Sequence, residues 1–114
     1  MKLSRPLLGL LIAGEELEHA VKVGQKTITI RKGHRDYQPG DTLLIGCHLR
    51  DWARLAKVTN VSFTTLEDVS EKDLKDDGFS NAEHALSVLT QWYPDMDFDS
   101  PVTVLRWDLV LGEV

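Results

Sequence analysis

The chain carries a single cysteine, Cys47, in 114 residues, so it can form no internal disulfide. That fits a reducing compartment, and a cytoplasmic location is expected. No run is apolar and long enough to span a membrane. No glycine-rich phosphate-binding loop occurs. The four histidines, His19, His34, His48 and His84, are scattered without metal-ligand spacing. No metal or cofactor is expected. Repeats, low-complexity stretches and linkers are also missing.

What is present suits one domain over residues 1–114, with 42% apolar and 27% charged residues. The opening "MKLSRPLLGLLIAGEEL" has two positive charges before an apolar run, as a signal peptide would. The run is short, is broken by Gly9 and lacks a small-residue cleavage pattern before Glu15. It reads as the first structured element.

The net charge of -5 is unevenly spread. Residues 22–57 carry a balance of +5, whereas residues 58–114 carry -9. An acidic protein can therefore present a positive face, a footprint that phosphate groups would recognise.

The elements follow from local pattern. "EELEHAVKV" reads as a short amphipathic helix ended by Gly24. "KTITIR" alternates and is β-branched, which predicts a strand. "YQPGD" is a turn. "TLLIGCHL" and "RLAKVTNVSFTTL" predict two more strands, joined as a hairpin through "RDWA". "SEKDLKDDGF" predicts a helix capped by Ser70 and stopped at Gly78. "SNAEHALSVLTQWYP" predicts another, with Ser80 and Glu83 as a capping box and Ala82, Ala85, Leu86, Leu89 and Tyr93 as its buried stripe. "TVLRWDLVL" alternates, with Leu105, Trp107, Leu109 and Leu111 on one face and Arg106 and Asp108 on the other. The expected fold is a small α+β barrel, mainly antiparallel, of five to six strands with two to three short helices.

The spacing Gly24-x-Lys26-x-x-Thr29-x-Arg31, followed by "YQPGDTLLIG" and the acidic helix "TTLEDVSEKDLKDDGF", resembles the ASCH domain, whose fold is a PUA-like β-barrel. The likeness spans roughly residues 15–111 and is strongest to small bacterial N(4)-acetylcytidine amidohydrolases, which share "KTITIR". The resemblance implies Lys26 as base, Thr29 as nucleophile and Arg31 as a substrate-orienting or charge-stabilising group. The family's glutamate proton donor falls at Asp77, beside Asp76. Aspartate is one methylene shorter, a departure that bears on reach.

The chemistry sets its own demands. A threonine hydroxyl needs an adjacent base. Lysine serves only when neutral, and a proton donor must hold its proton near neutrality. Asp77 sits at a helix C-terminus beside Asp76, and both features disfavour its carboxylate. In a regular strand Thr27, Thr29 and Arg31 share a face and Lys26 points away. Lys26 can serve Thr29 only from the turn after Gly24, before pleating begins.

Lysine and threonine on an exposed strand edge are ordinarily solvated, and lysine there discourages edge aggregation. Asp77 by itself reads as a solvated helix end. Cys47 reads as a small buried hydrophobe. Trp52, Trp92 and Trp107 read as core or pocket wall, and Tyr37 and Trp52 as packing residues that could stack on a base. Three activities stay open: an amidohydrolase for a small acylated nucleoside, an RNA-binding module, or a ribonuclease. A small nucleoside is the expected partner, with RNA as the alternative and no membrane, in a monomer or weak homodimer.

Overall fold

The computed structural model describes residues 8–11, 20–22, 24–46 and 53–110. Its strands are β1 (Leu8–Leu11), β2 (Ile28–Lys32), β3 (Thr42–Gly46), β4 (Ala53–Thr65) and β5 (Pro101–Leu109). A 3-10 turn, Leu66–Asp68, leads to helices α1 (Glu71–Asp76) and α2 (Ala82–Leu89). The strands form one curved sheet in the order β1-β3-β4-β5-β2. Among the described residues only the β1–β3 pair is parallel. The result is a half-barrel with β1 and β2 at its edges, the mainly antiparallel α+β architecture expected.

The opening apolar run supplies β1, the edge strand beside β3. The predicted first helix lies mostly outside the described residues, but residues 20–22 are helical. Their end has a specific lock. Gly24 takes φ +79, its N–H donates to Val21 O, and Gln25 N–H donates to Ala20 O. These crossed bonds satisfy the last helical carbonyls, and glycine accepts the left-handed turn that they need. β3 and β4 pair as the predicted hairpin. Cys47, His48 and Trp52 in its connection lie outside the described residues, as do His19 and Leu111.

Two cores form, one on each face of the sheet. Ile28, Ile30, Val102 and Val104 pack under the helices with Leu66, Val69, Leu74, Ala85 and Leu89. Leu10, Val21, Leu43, Ile45, Ala56, Val58, Leu105 and Trp107 fill the other, concave face. The alternation read into "TVLRWDLVL" is therefore only half right. Val102, Thr103, Val104 and Leu105 are all buried, because central strand β5 is covered on both faces over that stretch. β4 keeps its apolar residues on the concave face through a bulge between Val58 and Asn60. Val58 faces inward before it, and Val61 after it, a shift of parity that strict alternation does not anticipate.

The helices dock by charge as well as by packing. Arg106, on the helix face of β5, donates to Asp73 at 2.5 Å and to Asp76 at 2.7 Å. Ser70 caps α1 as expected, accepting from Asp73 N–H. The cap of α2 lies one residue later than the sequence suggests. Asn81, not Ser80, accepts from His84 N–H, while Ser80 N–H donates to His84 Nδ1. Asparagine reaches the same donor from the extended N-cap position and displaces the Ser80–Glu83 box. The expected α2 stripe holds: Ala85 and Leu89 are core, and Ala82, Leu86 and Tyr93 pack on it. Trp92, read as core or pocket wall, is instead 60% exposed.

Asn81→Ala should therefore lower unfolding free energy by about 1 kcal/mol, whereas Ser80→Ala should change it by less. Urea denaturation of both variants checks this, and the reverse ranking would refute the observed cap.

Candidate active site

β2 is an edge strand, so half of its backbone groups lack a strand partner. Trp107 N–H donates to Thr27 O, which makes Thr27 a bonded partner of β5. Alternation then turns the backbone groups of Thr29 and Arg31 toward β5 and those of Ile28 and Ile30 outward. Two side chains occupy that open edge. Lys26 Nζ donates to Ile28 O at 2.7 Å. Asp77 accepts the Ile30 N–H. The two also meet each other, with Lys26 Nζ 2.5 Å from Asp77 Oδ1.

Helix endings place both groups. Lys26 follows Gly24 and precedes the first residue of β2, so it lies in the turn where the alternation argument required it. Asp77 is the C-cap of α1. Gly78 takes φ +91 and donates to Lys75 O, and Phe79 N–H donates to Leu74 O. The same crossed-bond device thus sets both ends of the ion pair.

The pair is well shielded, with side chains 12% and 7% exposed for Lys26 and Asp77. Burial pushes the Asp77 carboxyl above its ordinary value. Lys26, the Ile30 N–H and Arg31 pull it back down without cancelling that rise. The rise was expected from the helix end and from Asp76; burial is its largest cause, and the Asp76 part of the expectation does not hold. Asp76 faces away, held by Lys72 and Arg106, and contributes nothing to Asp77. Asp77 is not the solvated helix end that it would be alone.

Thr29 and Arg31 lie on the concave face, in the rows of Leu105 and Thr103. Thr29 is buried. Arg31 Nε donates to Thr29 Oγ1 at 3.1 Å. A guanidinium on the hydroxyl oxygen fixes its rotamer and favours an alkoxide over a neutral hydroxyl. Among the described residues Lys26 and Thr29 share no hydrogen bond. The structure brings the four side chains to one strand edge as two pairs, Lys26–Asp77 and Arg31–Thr29, with Asp77 sensing Arg31.

Thr103 and Phe63 gave no signal in the sequence, whereas Tyr37 and Trp107 read there as packing residues. Thr103 is fully buried, donates to Gly33 O and accepts from Arg35 N–H, so it ties the loop after β2 to β5. Phe63, on the Arg31–Thr103 row, is 53% exposed and packs against the His34 ring. Tyr37 packs on the concave core, not in open solvent. Trp107 is 1% exposed, and its indole Nε1 is buried without a hydrogen-bond partner among the described residues. Register alone could have placed Phe63 and Arg31 on either side of Thr103, but nothing local fixes that register.

Comparison with solved structures places this geometry. An ASCH domain from Lactobacillus crispatus superimposes with a TM-score of 0.68 at 12% identity, covering 93% of this chain and 80% of that one. The fold is that of an ASCH domain. A DUF984 protein of Enterococcus faecalis gives 0.68 at 17% identity over 100% of this chain and 88% of its own. The hypothetical protein PH0355 gives 0.64 at 19%, covering 90% of this chain and 96% of that one. No protein-family model and no curated protein matches the chain. Identities this low carry the ASCH fold and not an activity. No helix among the described residues is long and apolar enough to cross a membrane.

The Asp77 shift has a pH consequence. Its folded value is raised, so the folded state binds more protons than the unfolded state above the ordinary aspartate range. The contribution of this carboxyl to stability is complete below that range and is lost as pH rises through the folded value. Wild type should lose stability relative to Asp77→Asn across that window. Carboxyl carbon NMR should place the Asp77 midpoint above 3.8. A midpoint below it would refute burial as the dominant influence.

Proposed function

We propose that this ASCH-fold protein is an amidohydrolase that removes the acyl group from a small acylated nucleoside such as N(4)-acetylcytidine. The observation that carries the reading is the shielded Lys26–Asp77 pair beside a buried threonine held by Arg31. An acyl transfer needs a base for the hydroxyl, an acid for the departing amine and a positioned nucleophile. These residues supply one of each, without recourse to a metal.

The proton inventory closes over a full cycle. The reactive state has a neutral Lys26 amine and a protonated Asp77. It differs from the ion pair by one proton moved along the 2.5 Å contact. Thr29 Oγ attacks the acetyl carbonyl carbon while its proton passes to Lys26, whose amine must leave Ile28 O to take it. Collapse of the tetrahedral intermediate breaks the C–N bond, and Asp77 gives its proton to N4 of the departing cytidine. Lys26 is now an ammonium and Asp77 a carboxylate. Water then attacks the acetyl ester, giving its proton to Asp77. Lys26 returns a proton to Thr29 Oγ, and acetate chemistry ends with the starting protonation restored. Arg31 acts here on the nucleophile, through Thr29 Oγ1, more directly than on the base.

Asp77 suits the donor role because burial keeps its carboxyl protonated to higher pH than usual. Its shortness relative to glutamate is offset by position: as a C-cap it already reaches the β2 edge.

A second reading, RNA binding with or without cleavage, draws on the exposed Phe63 and His34 rings, 5.2 Å apart, beside Lys32 and Arg35. It predicts affinity that falls steeply with salt and survives Thr29→Ala.

Hydrolysis of N(4)-acetylcytidine to cytidine, followed by chromatography, separates the two. Wild type should turn it over. Lys26→Ala and Asp77→Asn should lose about 10²–10⁴-fold in kcat, and Thr29→Ala should fall to background. Asp77→Glu should retain most activity. No turnover by wild type at high enzyme concentration would refute the substrate assignment.

A further inference from the structure

A proton donor at the end of a short helix works only if that helix is held in place. α1 has six residues and one buried side chain, Leu74. Helices this short are marginal alone, so packing sets their orientation. One apolar contact fixes a position and leaves a rotation free. Asp77 ends α1 as its C-cap, and a small turn of the helix about Leu74 would carry the carboxyl off the β2 edge. Beyond it, Gly78 redirects the chain and Phe79 packs on the same core as Leu74.

Arg106 supplies the second fixed point. It lies on the helix face of β5, directly across from Ile28, whose carbonyl holds Lys26. Its Nη2 donates to Asp73 at 2.5 Å and to Asp76 at 2.7 Å. Residues three apart on a helix are surface neighbours, so the two carboxylates present one side of α1 to the sheet. Asp76 directly precedes Asp77. The clamp therefore fixes the last turn of α1 against the same strand pair that carries Lys26. Lys72 also reaches Asp76 at 2.7 Å, but it belongs to α1 itself and is largely exposed, so it cannot tie the helix to the sheet.

We propose that Arg106 is a positioning residue for Asp77, fixing the rotation of α1 so that the carboxyl meets both Lys26 and the Ile30 N–H. The catalytic consequence rests on the amidohydrolase reading, and the structural consequence does not. Arg106 touches no reacting atom and moves no proton. Besides burial, the groups that act on the Asp77 carboxyl are Lys26 from the turn before β2 and the Ile30 N–H and Arg31 from β2. Arg106 and Asp76 are not among them. Removing the Arg106 charge therefore reaches Asp77 through the placement of the helix and not through the field of the guanidinium.

Arg106→Met keeps an apolar stem and removes the guanidinium. With α1 loosened, Asp77 trades shelter for water, and its midpoint in carboxyl carbon NMR should fall toward the ordinary 3.8. At a temperature where the variant is folded, kcat for N(4)-acetylcytidine should drop about 10–10²-fold with KM little changed. Arg106→Lys should reverse most of both effects, because both bonds leave one nitrogen and an ammonium can stand in its place. A docking role alone would lower melting temperature and leave the Asp77 midpoint and kcat at their wild-type values, and that result would overturn the proposal. An inactive wild type would overturn the amidohydrolase reading instead and leave the midpoint to decide this one. Should Arg106→Met fail to fold, Asp73→Asn removes one arm of the clamp with little change of shape. Its Asp77 midpoint should move in the same direction, and a midpoint that stays or rises would overturn the proposal.

Discussion

The contact between Lys26 and Asp77 holds the candidate site together. β2 ends the sheet, and an open strand edge exposes backbone groups that need partners. The ammonium takes the outward carbonyl of Ile28, the carboxylate takes the outward N–H of Ile30, and each group takes the other. The pair thereby closes the edge and ties the end of α1 to it across 51 positions of sequence. Breaking one partner would strand a shielded charge and open the edge together. An edge lock and an acid–base pair ask for the same thing, two groups of opposite proton affinity held close and away from water.

That constraint explains why glycines flank the chemistry. Gly24 and Gly78 take positive φ at two helix ends, and each redirects the chain so that a residue within two positions meets the β2 edge. The helix face contributes the rest of the docking through Arg106 with Asp73 and Asp76. That network leaves Asp77 alone to turn toward Lys26. Two successive aspartates thus take separate tasks: Asp76 serves the surface of α1, and Asp77 the site.

Much of this was legible in local pattern. The strand in "KTITIR", the hairpin of β3 and β4, the Ser70 cap and the stripe of α2 each rest on short-range rules of period and capping. The Thr29–Arg31 contact follows from a period of two. The family resemblance put Lys26 and Asp77 in one site but not in contact with each other, because no local rule links a turn to a distant helix end. Burial as the cause of the Asp77 shift was not legible, since neighbouring charges are visible in a sequence and desolvation is not. The Asn81 cap was missed for want of one residue of register. The bulge in β4 was missed because alternation assumes a constant parity. The buried, unpartnered indole of Trp107 is a property of the packed state, and no sequence pattern marks it.

Acyl transfer through Thr29 is the central claim, and a covalent intermediate tests it most directly. Wild-type protein mixed with excess N(4)-acetylcytidine, quenched in acid within the first turnover and digested, should yield the peptide spanning Thr29 heavier by one acetyl group. The fragmentation series should place the acetyl on the Thr29 oxygen, and Thr29→Ala should show none. Turnover with no acetyl on that peptide at any quench time, or an acetyl carried by Lys26 instead, would contradict the account.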